Sequence, residues 1–351
     1  MQWMIYGANG YTGELIAREA VRLGLQPILA GRSRDKLEPL AAELDLEKRV
    51  FDLDDQGAVL VALHGVELVL HCAGPFSATS APMIEGCLAV GAHYLDITGE
   101  VSVFEHCHAP AQAERAKEKG VVLCSGVGFD VIPTDCVASK LKELLPDASH
   151  LSLGFQSNSG LSPGTSKTAI EGLSEGCIER RDGELVRVPM GSKRKEIDFG
   201  RGPRLAMTIP WGDVSSAYHN TGIKNIDVWV PMPKSMVMGA QIMNIVRPLM
   251  GASWIQSFLK NLVAKRIKGP DEQERETRST YVWGEARNAD GKVVTVRIKT
   301  ANGYKLTVDG ALTIAVRLMA QEQAGGSYTP AMLFGAELVE KLPGSDEFEI
   351  S

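Results

Sequence analysis

A doubly wound α/β fold, with a parallel sheet covered by helices on both faces and an α+β segment inserted behind it, is what this sequence predicts, on three observations. The first thirty-odd residues read as strand, glycine turn, helix and strand. Strand and helix patterns then keep alternating up to about residue 135, the signature of a parallel sheet. From about residue 150 to 310 the pattern changes to runs that alternate apolar and polar residues at period two, which suggests a mainly antiparallel sheet with one face covered.

The opening unit justifies the first observation. Met4-Ile5-Tyr6 is an apolar strand, and Gly7-Ala8-Asn9-Gly10-Tyr11-Thr12-Gly13 a glycine turn. Leu15, Ile16, Ala20 and Leu23 recur at helical spacing, and Pro27 to Gly31 makes the second strand. This is the first βαβ unit of a Rossmann-type dinucleotide-binding fold. Gly7 lets the chain turn off the strand, Gly10 lets backbone N–H groups approach a pyrophosphate, and Gly13 lets the helix pack closely. The helix start offers N–H donors and partial positive charge to phosphate. Gly7, Asn9, Gly10, Tyr11, Thr12 and Gly13 are therefore expected cofactor contacts. The second strand ends in Gly31-Arg32-Ser33-Arg34, where an NAD site usually presents a carboxylate to the ribose. A guanidinium suits a 2′-phosphate, so Arg32 and Ser33 point to NADP(H) over NAD.

Further along, Asp35 to Leu46 reads as a helix and Arg49 to Leu53 as a third strand, ending in an acidic turn. Asp52 there either contacts the adenine side or caps the helix Gln56 to Leu63. Val66 to Cys72 is the fourth strand, followed by Ala73-Gly74-Pro75-Phe76, a turn on the edge where doubly wound sheets bind ligands, so Gly74, Pro75 and Phe76 join the expected cofactor contacts. Met83 to Val90 is a helix, His93 to Ile97 the fifth strand, and Thr98-Gly99-Glu100 its exit. A helix from Val103 to Lys119 leads to the strand Val121 to Cys124 and the loop Ser125 to Asp135. Asp130 in that loop either contacts the nicotinamide carboxamide or caps the next helix.

The second segment contains His150 to Phe155, Lys224 to Val230, Ser279 to Ala286 and Val293 to Thr300, the last after a hairpin turn at Asn288-Ala289-Asp290-Gly291. Gly160 to Thr168 is a polar loop before a helix expected at Ala169 to Cys177, and either offers hydroxyls to a ligand or starts the helix. Met236 to Lys268 is a Met-rich helical stretch with an apolar face, interrupted at Pro248. Such a face packs in the core, binds a lipid chain, rests on a membrane surface or makes a dimer contact. Gly310 to Gln321 and Thr329 to Leu342 read as closing helices. The expected domains are 1–149 for the dinucleotide, 150–310 for substrate and dimerisation, and 311–351 returning to the first.

Composition narrows the function classes. With 351 residues, 44% hydrophobic and 23% charged, the chain is an ordinary globular protein of about two domains. A net charge of -6 gives no reason to expect nucleic acid as a partner. The six cysteines form no Cys-x-x-Cys pair, and His106-Cys107-His108 lacks a second ligand pair, so no metal is expected. The amino terminus runs straight into a strand and no apolar run reaches membrane-spanning length, so a cytoplasmic protein is expected.

Five of these motifs, Gly7 to Gly13, Ala30 to Ser33, Cys72 to Phe76, Tyr94 to Glu100 and Gly128 to Asp135, occur in the order found in saccharopine dehydrogenase-like oxidoreductases. The sequence resembles that family, and within it the trans-acting enoyl reductase branch; later only Gly164-Thr165-Ser166, Gly303 to Thr307 and Thr329-Pro330-Ala331 carry the likeness. The resemblance implies an NADP-linked oxidoreductase, and in the enoyl reductase members a carbon–carbon double bond of a lipid precursor as substrate. Hydride transfer to an activated double bond, such as an enoyl thioester, is the leading expectation. An imine or carbonyl of a polar metabolite is the alternative within the class, and a non-catalytic, lipid-associated NADP-binding scaffold the alternative outside it. Such chemistry needs a proton or hydrogen-bond donor, for which Tyr11, Thr98, Asp135 and Thr165 with Ser166 are the candidates. A small lipid-like substrate, peripheral membrane contact and a homodimer complete the expectations.

Overall fold

The computed structural model describes residues 2–157, 159–160, 162, 164, 166, 170, 176–250 and 269–351, without the side chains of 246–250. The chain forms two compact units, 1–130 with 306–330, and 131–305 with 331–351.

The first unit is the expected parallel sheet. Its strands are β1 (Trp3–Tyr6), β2 (Ile28–Gly31), β3 (Lys48–Val50), β4 (Leu68–His71), β5 (His93–Asp96) and β6 (Val122–Cys124). They are linked by α1 (Tyr11–Arg22), α2 (Arg34–Leu44), α3 (Gln56–Ala62), α4 (Phe76–Val90), α5 (Val101–Cys107) and α6 (Pro110–Lys119). The order is β6-β5-β4-β1-β2-β3, with the late strand Gly326–Tyr328 added in parallel beside β6. β1, β2, β4 and β6 are buried along their whole length, as helices on both faces require. Tyr94, Phe104, Met4, Ile5, Leu29 and Leu70 are among the largest fully buried side chains.

Three sequence expectations change here. The helix expected over Val103 to Lys119 is two, because Pro110 lacks the N–H a continuous helix needs and instead starts α6. The third strand stops at Val50, two residues after which Asp52 accepts from the Asp54 N–H at 3.2 Å. Asp55, not Asp52, caps α3, accepting from Ala58 N–H at 3.0 Å.

The second unit begins with α7 (Ile132–Leu144), then β7 (His150–Ser157), β8 (Cys177–Arg181), β9 (Glu184–Val188), β10 (Arg194–Asp198), β11 (Pro203–Thr208), α8 (Asp213–Thr221) and β12 (Asn225–Pro231). It continues with α9 (Lys234–Met250), α10 (Glu272–Thr277), β13 (Thr280–Arg287) and β14 (Val293–Thr300). The chain then returns to the first unit with α11 (Gly303–Ala320) and β15, the strand Gly326–Tyr328 already named, before α12 (Pro330–Phe334) and β16 (Glu349–Ile350). The sheet runs β10-β11-β12-β7-β13-β14-β16 and is antiparallel except where β12 lies parallel to β7. α7 packs on β13 and β14, where a Cβ at Gly284 would lie 2.4 Å from Val137 Cγ1. That close fit is why α7 groups with this sheet, ahead of the expected boundary at 149.

The tail expected to return to the first sheet divides: residues 306–330 do so, but 331–351 group with the second unit. β16 extends the sheet beside β14, and the 3₁₀ turn Ala336–Lys341 packs on α7. Gly335, at φ +82°, separates α12 from that turn, so the helix expected to reach Leu342 ends at Phe334. The helix expected over Ala169 to Cys177 lies largely outside the described residues, and Cys177 already starts β8. The same holds for the 251–268 part of the Met-rich stretch, while Pro248 sits within α9.

Candidate functional site

In the first unit, Tyr6 pairs with His71 and His71 with Asp96, while Leu95 pairs with Cys124. The chain therefore leaves β1, β4, β5 and β6 along one edge, and strand order reverses between β1 and β4. That reversal is the switch point at which doubly wound sheets bind ligands.

The glycine turn fills the switch point with backbone. Gly7 has φ +83°, and a Cβ there would lie 2.8 Å from the Cβ of Ala73. A Cβ at Gly13 would be 2.3 Å from the Gly7 carbonyl oxygen, so this glycine permits the helix to close on the turn itself rather than on the sheet. Gly7 and Ala8 both donate to the Ala30 carbonyl, at 2.8 and 3.1 Å, and tie the turn to β2. Gly10 is the N-cap of α1, which carries no side-chain cap bond, so the helix start presents its N–H groups as backbone alone. Tyr11 and Thr12 begin the helix, partly buried. This cradle, closed to any side chain, fits the pyrophosphate of a dinucleotide.

At the end of β2 the Asn9 carboxamide lies over Gly31, where a Cβ would come within 2.8 Å of Oδ1. Arg32 and Asp52 are exposed and Ser33 partly so, as N-cap of α2. A guanidinium and a carboxylate thus both stand near the expected ribose side, with Tyr6, whose hydroxyl is pushed up to about 12 by burial, feeling the charge of each.

The turn after β4 is fixed from below. Gly74 and Pro75 are joined by a cis peptide bond, and Thr79 Oγ1 donates to the Ala73 carbonyl at 2.6 Å. With that hydroxyl proton engaged, His71 Nε2, 3.0 Å from the same oxygen, is the donor between them. His71 is fully buried between Tyr6, Phe76 and Tyr94, and burial holds its imidazole down to about 3, neutral at all ordinary pH. Phe76 and Ser77 N–H, the first of α4, both donate to Glu100, at 2.9 and 2.7 Å. Glu100 so carries its negative charge to a helix N-terminus.

β5 contributes a buried acid. The Asp96 carboxylate accepts from Tyr94 hydroxyl at 2.8 Å, Ser125 hydroxyl at 2.9 Å, Gly126 N–H at 2.9 Å and Thr98 N–H at 3.0 Å. It joins the exits of β5 and β6 as a single cross-link. Burial raises it to about 6, against the pull of those four bonds. Thr98 is fully buried, its Oγ1 accepting from Glu100 N–H at 3.0 Å, so it lies beneath the edge rather than on it. Asp130 rests on Gly99, where a Cβ would be 3.2 Å from Asp130 Cβ and 3.3 Å from Oδ2.

The remaining candidates lie in the second unit. Asp135, fully buried in α7, accepts from Asn220 Nδ2 at 2.8 Å and Ala331 N–H at 2.8 Å. It ties α8 and the tail to α7, a structural use of both oxygens. Thr165 lies outside the described residues, and Ser166 is buried. Among the described residues no cluster of His, Cys, Asp and Glu is fit to hold a metal, and no helix is long and apolar enough to cross a membrane. A cleft of about 360 Å³ on the second unit's sheet is lined by Arg180, Arg181, Lys193, Lys195 and Arg287 against Asp227 and Glu285, with Lys193 paired to Asp227 at 3.0 Å and Lys195 to Glu285 at 3.7 Å.

Sequence reasoning missed Asp96 and Glu100 as organisers of the edge. The signal was present in part, since Tyr94 and Asp96 alternate onto one side of β5 and Glu100 closes the strand exit.

A parallel sheet with a glycine turn at its switch point and an uncapped helix behind it is the arrangement of a dinucleotide-binding domain. Residues 3–124 match the family model for the saccharopine dehydrogenase NADP binding domain. Among curated relatives, the saccharopine dehydrogenase-like oxidoreductase of Rattus norvegicus is 29% identical over 223 residues, 55% of this chain and 52% of the relative. A Caenorhabditis elegans protein named lipid droplet localized protein is 27% identical over 226 residues, 59% and 51% of the two chains. The trans-acting enoyl reductase of Mycobacterium ulcerans is 29% identical over 141 residues, 38% and 33%. The matched part spans about half the length of the first of these relatives. In fold, the chain is similar to Saccharomyces cerevisiae saccharopine dehydrogenase (L-Glu forming), with a TM-score of 0.64 at 10% identity, covering 100% of this chain and 99% of that one. It is similar too to the Legionella pneumophila homospermidine synthase in complex with NAD, with a TM-score of 0.63 at 11% identity, covering 100% and 91%. The chain is thus similar to the saccharopine dehydrogenase-like oxidoreductases over about half its length, and residues 3–124 match the model of their NADP binding domain.

Proposed function

We propose that the protein is an NADP(H)-dependent oxidoreductase that reduces an activated double bond of an apolar substrate, an enoyl thioester or a close relative. The observation that carries the cofactor reading is the edge of the parallel sheet, where Gly7, Gly10 and Gly13 leave a backbone cradle and Arg32 stands exposed at the end of β2. Gly7 to Gly13, with Asn9, Tyr11 and Thr12, hold the pyrophosphate; Arg32 and Ser33 face the 2′-phosphate, with Asp52 on the adenine side. Gly74, Pro75 and Phe76 line the nicotinamide half. When bound, the dinucleotide supplies a hydride from nicotinamide C4.

An apolar substrate is supported by α9. Val237 is buried, while Gln241 and Asn244 hold the turn at 190–191, Gln241 donating to the Gly191 carbonyl at 3.0 Å and Asn244 to that of Met190 at 2.9 Å. Met238, Ile242 and Ile245, one helical face away, are 60%, 62% and 81% exposed. We read that face as the one that meets a lipid-like substrate or a lipid surface, in keeping with the names of the mycobacterial and nematode relatives. A polar imine or carbonyl is the second reading, favoured by the ionisable pair Glu100 and Asp130 at the edge.

Calorimetry with NADPH, NADP⁺ and NADH on the wild type and Arg32→Asp tests the cofactor assignment. The wild type is expected to prefer NADPH over NADH by at least about tenfold, and Arg32→Asp to invert the preference. Equal affinity of both proteins for NADPH would remove Arg32 from the site. Loss of reduced-nicotinamide absorbance with a crotonyl thioester, but not with a cyclic imine, would then support the apolar substrate; the reverse result selects the polar one.

A further inference from the structure

We propose that Asp130, working as a carboxyl pair with Glu100, is the residue that supplies the proton to the reduced substrate at the carboxyl edge of the parallel sheet. The inference rests on the cofactor reading above and adds to it a proton donor on the loop that leaves β6.

Asp130 stands where the proton is needed. It ends the loop that leaves β6, on the side of the switch point given to the nicotinamide half of a dinucleotide. Its carboxyl group lies against the Cα of Gly99, and the next residue, Glu100, is held in place by the two N–H groups that open α4. The loop is fixed at its other side too, because Phe129 N–H donates to Thr307 Oγ1 at 2.9 Å and Gly128 has no room for a Cβ beside that threonine. The Asp130 side chain keeps partial exposure at the edge.

Burial first, and the negative charge of Glu100 second, push the Asp130 carboxyl up to about 7. The neighbouring Asp96 is engaged by Tyr94, Ser125, Thr98 and Gly126. Asp130 thus keeps a proton in the range where a donor is effective. In the proposed step a substrate that has received the hydride carries a new electron pair. That pair takes the Asp130 proton, a bond from substrate to hydrogen forms as the carboxyl O–H breaks, and ionised aspartate remains to be reprotonated from water.

The test uses the whole chain and needs no known substrate. The nicotinamide ring of NADP⁺ is cationic and that of NADPH neutral, so NADP⁺ favours ionised Asp130 while the 2′-phosphate, common to both, cancels. Affinities for the two nucleotides are measured by calorimetry from about pH 6 to about pH 8, in two buffers of different ionisation heat. For the wild type, the affinity ratio of NADP⁺ to NADPH is expected to rise by about tenfold over that range, with a proton released on NADP⁺ binding at the acid end. Asp130→Asn should flatten the ratio and abolish the release; Glu100→Gln should move the midpoint to lower pH. With any acceptor that consumes NADPH, Asp130→Asn should slow turnover by about a hundredfold at unchanged NADPH affinity. A flat ratio in the wild type, a wild-type slope in Asp130→Asn, or undiminished turnover in that variant overturns the assignment and leaves the cofactor reading standing. No heat with either nucleotide overturns both.

Discussion

Each unit buries acids, and puts them to opposite ends. In the first, Asp96 is buried and Glu100 and Asp130 partly so, all on one edge of a parallel sheet beside the backbone cradle of the glycine turn. In the second, Asp135 and Asp213 join helices to their surroundings: Asp135 binds Asn220 and Ala331, and Thr134 donates to Asp213 at 2.6 Å. A buried carboxylate is therefore not by itself a mark of a site. What distinguishes the first group is where the backbone leads it, to the carboxyl ends of strands on either side of a switch point.

That contrast can be broken most sharply at Gly13. Gly13→Val places a side chain into the Gly7 carbonyl, so NADPH binding should vanish in calorimetry and the melting temperature fall with it, an overpacking cost of about 2–3 kcal/mol or more. Detectable NADPH binding by this variant would mean that the turn is not the cradle.

Asp135→Ala should cost a comparable amount, about 3 kcal/mol in urea unfolding, because it strands the Asn220 amide and the Ala331 N–H in the interior. The folded protein should retain its NADPH affinity. A selective loss of nucleotide or substrate binding instead would return Asp135 to the site.

Asp96 sharpens the comparison through pH. Its folded value is raised, so the native state holds the proton more tightly than the unfolded chain; the stabilisation is complete below the unfolded value and lost as pH rises through about 6. Relative to Asp96→Asn, which can keep the Thr98 and Gly126 bonds, wild-type stability should fall by on the order of 2–3 kcal/mol between about pH 4 and about pH 6.5. Parallel curves for the two proteins would show that the carboxyl stays ionised throughout.

The smallest effects should be alike in both units. Asp55 caps α3 by accepting from Ala58 N–H, and Asp271 caps α10 by accepting from Glu274 N–H at 2.8 Å. Replacing either by alanine should cost about 1 kcal/mol by thermal unfolding and leave nucleotide affinity unchanged. A cap whose loss altered affinity would tie its helix to the site.

The parallel sheet was legible because its signals are local: an apolar run, a glycine turn and a helical face within thirty residues. β15 was not legible, since Gly326-Ser327-Tyr328 has no apolar run and is only partly buried, its strand state depending on pairing with β6. The α5–α6 break was readable in Pro110, and the end of α12 in Gly335, had each been weighed as punctuation. Of the candidate site, the glycines could be found by spacing alone. That the exits Asp96 to Glu100 and Gly126 to Asp135 share a rim follows from the parallel order, but the contact of Asp130 with Gly99 within it does not, since no spacing specifies it.

Because β15 comes two hundred residues after the strand it completes, synthesis leaves the outer rim of β6 without its neighbour until residue 328 has been translated. A nascent amino-terminal half would meanwhile display unpaired main-chain groups able to recruit another strand. Expressing residues 1–124 alone, which contain the 3–124 span of the family model, should therefore give material prone to self-association unless a segment carrying residues 306–330 is supplied alongside.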